Sequence, residues 1–312
     1  MLPHVIALVV GGWAWALWDR ALMATHTDTL VVVCAAWALL HAGTLWLNAA
    51  FDRDEGEVLL GRTVRPPSSI RAWGHGALLV AVALAFVGNP VSGAACLGAA
   101  LLAVAYSHPR WGWKGHPVGG PLVNVVGYGL LSPLAGWALV EVSATPRTFA
   151  VWSLSAVGIL GMYFAAQAFQ AEEDRARGYR TLVATHGPAV VLGAARACMG
   201  IAVVGGTALA LAGWIPRVCL FGVVAWWVLD RWLVAWAAQR GGGDVAWAQG
   251  FTARLMWTAL LGIALAFGEY ARESLAGEPV AGLGTIAGHP PDRPVLPPRQ
   301  IRLWEAAQRD PR

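Results

Sequence analysis

The sequence predicts an all-α integral membrane protein of about nine transmembrane helices. Three observations carry this reading: a shortage of charge, a succession of apolar runs long enough to cross a bilayer, and a one-sided distribution of arginine and lysine between them. Of the 312 residues, 57% are hydrophobic and 13% charged, with a mean hydropathy of +0.55. Soluble chains average about 25% charged residues. They need charge to hold water at their surface, whereas a surface facing hydrocarbon sheds it because each charge there costs several kcal/mol.

A helix rises 1.5 Å per residue, so roughly 30 Å of hydrocarbon asks for about 20 mostly apolar residues. Segments 4–23, 30–50, 73–88, 91–106, 119–140, 149–170, 188–211, 215–237 and 251–270 fit that pattern. The first is followed by Trp18, Asp19 and Arg20 rather than a small-residue cleavage site, and no basic stretch precedes it, so it reads as a span and not a cleaved signal. Only Gly88, Asn89 and Pro90 separate the third and fourth, which predicts a tight hairpin. Residues 1–272 thus form one membrane domain. Residues 273–312 form a proline-rich tail with Arg293, Arg299, Arg302, Arg309 and Arg312. Within the tail, residues 299–308 suit either a short amphipathic helix at the headgroups or disorder.

The connections after spans two, four, six and eight, with their flanks, hold Arg53, Arg62, Arg65, Arg71, Arg110, Lys114, Arg175, Arg177, Arg180, Arg231 and Arg240. The opposite side holds mainly Arg20, Arg147 and Arg217. Short cation-rich connections stay in the cytosol, which places those four loops and the N-terminus there. Nine spans put the tail outside, and one span fewer would put it inside. The net charge of +4 arises from arginines scattered between apolar runs, with no basic face for nucleic acid. Cys34, Cys96, Cys198 and Cys219 lie in apolar stretches without metal-site or redox spacing. No glycine-rich phosphate loop follows a strand.

Two connections are acidic as well as basic. After span two come Asn48, Asp52, Asp54, Glu55 and Glu57. On a continuing helix Asn48, Asp52 and Glu55 share a face, and carboxylates so crowded repel unless a cation sits among them. Mg2+ suits such a place, being held by one or two carboxylates plus substrate phosphate. After span six come Gln167, Gln170, Glu172, Glu173 and Asp174, then Arg175, Arg177, Gly178, Tyr179, Arg180 and Thr181, with Tyr163 one turn deeper. Two such helix ends on one side of the membrane can clamp a diphosphate through Mg2+ while arginines neutralise the remainder, as ionisation of an allylic diphosphate requires.

The segment from Asn48 to Asp52, with Arg65 and Pro66 beyond, resembles the first aspartate-rich motif of the UbiA superfamily of intramembrane prenyltransferases. The run from Gln170 to Leu182, closing on Gly178, Tyr179, Arg180, Thr181 and Leu182, is similar to its second motif and the signature that follows. Tyr106, Ser107, Pro109 and Lys114 resemble the loop after the fourth span. Ala49 and Gly56 stand where the first motif usually carries acids, and Gln170 where the second usually opens with aspartate. Asp54, Glu55, Glu57, Glu172 and Glu173 are candidate replacement ligands.

The resemblance implies a UbiA-like bundle around a central cavity open to the bilayer. It implies a polyprenyl diphosphate bound through Mg2+, and prenyl transfer to a lipophilic acceptor. Carried over by position, Asn48, Asp52, Glu55, Gln170 and Asp174 are the expected metal set. Asp52, Asp174, Lys114 and Arg180 are expected to act in ionisation, with Arg65, Arg110, Tyr106 and Tyr163 toward the substrate. The expected setting is a bacterial cytoplasmic membrane with the active-site loops cytosolic and membrane lipids around the bundle.

Polar residues inside the apolar runs have two readings. His41, on the face of Leu45, Asn48 and Asp52, is either a helix-contact histidine or a proton acceptor in the cavity. Asn124 and Tyr128 either bind substrate or tie neighbouring helices. Arg196 must pair or line a pathway, and the sequence names no partner for it. The 18 tryptophans suit interfacial belts, while Trp13, Trp46, Trp137 and Trp152 suit either a belt or a cation-stabilising cavity wall. Beside prenyl transfer stand a terpene cyclase of the same superfamily, in which the chain's own double bond captures the cation, and a non-catalytic transporter or scaffold.

Overall fold

A computed structural model describes residues 2–19, 26–52, 66–140 and 143–276. The acidic stretch 53–65 with Glu55 and Arg65, the Arg20 turn and the tail from 277 onward lie outside the described residues, as does the side chain of Asp52.

The described residues form nine long helical segments: α1 (Leu2–Asp19), α2 (Thr27–Asp52), α3 (Ile70–Gly88), α4 (Pro90–Ser107), α5 (Gly119–Val140), α6 (Pro146–Ala176), α7 (Pro188–Leu211), α8 (Arg217–Ala237) and α9 (Val245–Ala276). The segment from α2 through α8 supplies seven helices long and apolar enough to cross a membrane, α1 contributes the shorter apolar stretch Val5–Leu17, and α9 runs 32 residues. Helices α2, α3, α4, α6 and α9 run past the predicted ends, because helices continue past the hydrocarbon into the headgroup layer; α5 and α7 match the prediction, α1 ends at Asp19 rather than 23, and α8 starts at Arg217 rather than 215.

The predicted hairpin is present. Asn89, with extended backbone (φ −161°, ψ 138°), accepts hydrogen bonds from the N–H groups of Val91 (2.8 Å) and Ser92 (3.2 Å), and Pro90 opens α4 where no N–H is needed. Asn89→Ala is expected to remove about 1 kcal/mol of stability, read as a lower thermal midpoint in detergent. An unchanged midpoint would show that the hairpin is set by packing alone.

The core is built in two halves and a smaller cluster between them. One half, joining α1 to α5, centres on the fully buried Val33, Trp37 and Leu47; the other, joining α6 to α9, centres on Leu192, Leu233 and Trp236; the third cluster joins Trp15 of α1 and Trp137 of α5 to Ala210 of α7. Lipid tails are as apolar as leucine, so close backbone approach holds such halves together more than burial does. The clearest case is α1 on α5. A Cβ at Gly12 would overlap the Pro133 carbonyl, and one at Gly136 would overlap that of Val9.

Helix α5 is irregular in a way its sequence explains. Pro133 lacks the N–H that a regular helix would spend four residues back, and the preceding turn, Val125–Leu131, widens into a π-helix. The Ser132 N–H reaches the Gly127 carbonyl, which also accepts from Ser132 Oγ at 2.8 Å. Ser132 Oγ in turn accepts from Trp37 Nε1 at 3.0 Å, locking α2 to α5. Single π-turns of this kind concentrate at functional sites.

Arg196 finds its partner in α8. Its Nε lies 2.6 Å from Asp230 Oδ1 and its Nη2 3.3 Å from Oδ2, so it is a bidentate ion pair between α7 and α8 and no part of the central cavity. All four cysteines are free thiols.

Candidate active site

The ends of α2, α4 and α6 meet on one side of the bundle. Phe51, at the end of α2, packs edge-on to His108 just past α4, and Arg71 at the start of α3 lies over the Phe51 ring at 5.0 Å. The loop after α4 then docks on the loop after α6. Arg180 N donates to the Gly115 carbonyl at 2.8 Å, and the Tyr179 ring lies where a side chain at position 115 would stand.

That second loop has a local logic. Gly178 takes φ +71°, a conformation that favours glycine. Its N–H reaches Arg175 O and the Tyr179 N–H reaches Asp174 O, which is the paired-bond ending of a Schellman turn. The reversal brings Thr181 back to the helix it has just left. The Thr181 hydroxyl donates to Asp174 Oδ2 at 2.6 Å, and Thr181 Oγ1 itself accepts from Ala184 N at the start of the short helix Leu182–His186. Asp174 is thereby buried. Thr181→Val is expected to cost about 2 kcal/mol, the scale of a hydrogen bond to a charged group, while Thr181→Ser restores most of the thermal midpoint. Equal midpoints for Val and Ser would show that the hydroxyl does nothing for Asp174.

Inward of these loops lies a cavity of about 380 Å3. Helix α2 contributes Trp37, Leu40, His41, Thr44, Leu45 and Asn48, a helical stripe; α4 contributes Tyr106, α5 Asn124, Gly127, Tyr128 and Ser132, and α6 Ile159, Met162, Tyr163, Gln167 and Gln170. Helix α6 tightens into a 3-10 turn at Ala168–Gln170, and both glutamines reach the cavity wall. Gln167 Nε2 donates to the Tyr163 hydroxyl at 2.7 Å. That hydroxyl occupies the space a side chain at Gly120 would need, and the Gly120 carbonyl accepts from Asn124 Nδ2 at 2.9 Å. Among the described residues, two buried polar atoms on the wall have no hydrogen-bond partner, Asn48 Oδ1 and His41 Nε2. Buried polar atoms are nearly always paired, so these two are available to a ligand's groups.

The profile of the UbiA prenyltransferase family matches residues 5–255. The chain belongs to that family, a family of transferases. No curated protein sequence matches it. Among solved structures, the apo UbiA homolog from Aeropyrum pernix K1 superposes with a TM-score of 0.62 at 16% identity, covering 86% of this chain and 99% of that one. A UbiA homolog from Archaeoglobus fulgidus bound to GPP and Mg2+ gives 0.61 at 16% identity, covering 84% and 95%. A digeranylgeranylglyceryl phosphate synthase gives 0.56 at 14% identity, covering 84% and 93%. These likenesses fix the UbiA fold and the multi-pass membrane architecture.

Within this UbiA bundle, the residues singled out from sequence fall into three groups. His41, Asn48, Tyr106, Asn124, Tyr128, Tyr163 and Gln170 all line the one cavity. Asp174, Lys114, Arg110 and Arg180 belong to the loops beside it: Asp174 is buried against Thr181, Lys114 is half-buried in the turn Trp113–Gly115, and Arg110 and Arg180 are exposed. Asp52 ends α2 one turn beyond Asn48, and Glu55 and Arg65 lie outside the described residues. Among the described residues no three His, Cys, Asp or Glu side chains cluster closely enough to hold a metal ion by themselves.

Trp13, Trp46, Trp137 and Trp152 do not line the cavity; Trp37 does. Trp137 packs between Trp15, tilted at 4.8 Å, and Trp152, edge-on at 5.9 Å, and Trp46 meets Trp73. Sequence reasoning predicted the helix α9 but not its place at the cavity, where its Phe251, Thr252 and Leu255 close one wall. Their spacing is that of any apolar helix face, so no sequence signal distinguishes them.

Proposed function

We propose that this UbiA-family protein binds a polyprenyl diphosphate with its headgroup at the loop end of the cavity and its chain inside. There it ionises the diphosphate with Mg2+ and transfers the prenyl group to a lipophilic acceptor within the membrane. The unpartnered Asn48 Oδ1 carries the reading: a buried oxygen donor on the cavity wall, one turn before Asp52, is suited to a hard cation. The oxygen chemistry of Asn48, Asp52, Gln170 and Asp174, with Glu55 as a further candidate, fits Mg2+ completed by substrate phosphate. When bound, Mg2+ would neutralise charge developing on the departing diphosphate.

Around it each residue of the chain has its part. Lys114 and Arg180, on loops joined by the Gly115 to Arg180 hydrogen bond, place cations beside the headgroup, with Arg110 farther out and Arg65 a further candidate. Tyr106, Tyr163, Asn124 and Gln167 orient the phosphate end, and the apolar wall below them excludes water from the allylic cation. The loops after α2, α4 and α6 face the cytosol, on the excess of arginine and lysine there. UbiA homologs solved with GPP or DMAPP and Mg2+ support the substrate class.

The test is diphosphate release by purified protein given geranylgeranyl or farnesyl diphosphate, with and without Mg2+, beside Asp52→Ala and Asp174→Ala. Mg2+-dependent release lost in both variants is the expected result. Metal-independent release, or release untouched by either substitution, would overturn the assignment. A cyclic product formed without any acceptor would move the reaction to cyclisation.

A further inference from the structure

His41 is 6% exposed, yet it faces the cavity. One ring nitrogen is engaged, with Nδ1 at 3.3 Å from the Tyr128 hydroxyl, and the other, Nε2, is buried without a partner. Tyr128 stands on the π-helical turn of α5, which Ser132 and Trp37 lock against α2. His41 lies seven residues before Asn48 on the same stripe, so it sits about 10 Å deeper in the bundle. That is too far for the diphosphate and within the volume left for the prenyl chain and whatever quenches its cation.

Resting on the prenyl-transfer reading above, we propose that His41 Nε2 is the base that takes the proton released when the allylic cation is quenched, with Tyr128 as the positioning residue that fixes its tautomer. The C–O bond of the prenyl diphosphate breaks, leaving diphosphate and a cation. An electron pair of the acceptor, or of the chain's own double bond, forms the new bond to carbon. The proton displaced from that acceptor or chain atom goes to Nε2. In the tautomer whose Nδ1–H donates to the Tyr128 oxygen, the Nε2 lone pair faces the cavity. A histidine serving only as a helix contact would spend both nitrogens on the protein.

The inference separates two events that an activity assay merges. Geranylgeranyl diphosphate carrying 18O in the bridging position reports ionisation by scrambling of the label whenever the cation recaptures its diphosphate, and net diphosphate release reports quenching. Both are measured with Mg2+ in liposomes, with water alone and with an added phenol or glycerol ether. In His41→Gln the ratio of release to scrambling is expected to fall about a hundredfold, on the scale of a lost general base; in Tyr128→Phe it should fall about tenfold. An unchanged ratio in both variants, or scrambling and release lost in parallel, overturns the role of His41 and leaves the transferase reading standing. A parent protein that neither scrambles nor releases overturns both. A hydrocarbon product from the parent protein identifies the chain as the proton's source; an alcohol or adduct identifies water or the acceptor.

Discussion

Asn48→Leu is expected to abolish most Mg2+-dependent diphosphate release, by about 100-fold to 1,000-fold, without destabilising the protein. The loss follows from removing an oxygen ligand for the Mg2+ that would neutralise the departing diphosphate; deleting one group that stabilises developing charge is worth about that factor elsewhere. The stability follows from the resting structure. Asn48 Oδ1 is buried with no hydrogen-bond partner among the described residues, and a buried acceptor without a partner costs about 1–3 kcal/mol. A leucine of similar size leaves no such atom behind, so the thermal midpoint without substrate should hold or rise. The parent protein should gain thermal stability when geranylgeranyl diphosphate and Mg2+ are added together, and the variant should not. A variant that unfolds earlier but turns over normally would show that Asn48 serves the fold, and the cavity would lose its strongest claim to be the active site. Stability given up for function in this way is common at active sites.

Gly136→Leu is expected to do the reverse and fail at the level of folding. Position 136 meets the Val9 carbonyl and the Trp13 N–H across the α1 to α5 contact, and Gly12 meets Pro133 from the other side. The obstructing atoms are backbone, so no side-chain rotation makes room, and the helices must part. Overpacking commonly costs about 1–3 kcal/mol; here the cost should reach or exceed the upper end, because separating the helices also breaks their remaining contacts. Size-exclusion chromatography in mild detergent should show aggregated or absent protein. Gly11→Leu is the control, since position 11 faces open space on the outside of the same helix and the side chain there should be tolerated. Equal behaviour of the two variants would mean that α1 is not held by this contact.

The two outcomes bracket what the family assignment means for this chain. In this bundle the charged residues sit at one rim and the contact of α1 with α5 is made backbone to backbone, so a change at the rim meets water where a change at Gly12 or Gly136 meets main chain. That fits a first motif with Ala49 and Gly56, and a second that opens with Gln170. Gln170 still reaches the cavity wall and keeps an oxygen there without the negative charge. Beside it, Asp174 is held by the hydroxyl of Thr181, a partner that the turn at Gly178 brings within reach.

The sequence by itself determined the membrane class, the order of the helices, the Asn89 hairpin and the side on which the polar ends of α2, α4 and α6 gather. Each is written locally: a bilayer asks for runs of fixed length, a cap asks for one side chain near its own backbone, and charge has to collect where water is. His41, Asn48 and Tyr163 were legible as inward-facing because helical spacing carries them on the same stripes as the motif residues. The tertiary structure alone decided that α9 closes the cavity, that Arg196 pairs with Asp230 of the next span, that Gly12 and Gly136 are contact points, and that Trp37 and not Trp137 meets the cavity. Those facts depend on which faces of different helices are brought together. In a chain where nearly every face is apolar, periodicity cannot tell a face turned to lipid from one turned to a neighbour. The same limit hid the state of His41: its spacing placed it in the cavity, but only the packing of α5 against α2 gave Tyr128 to one nitrogen and left the other without a partner.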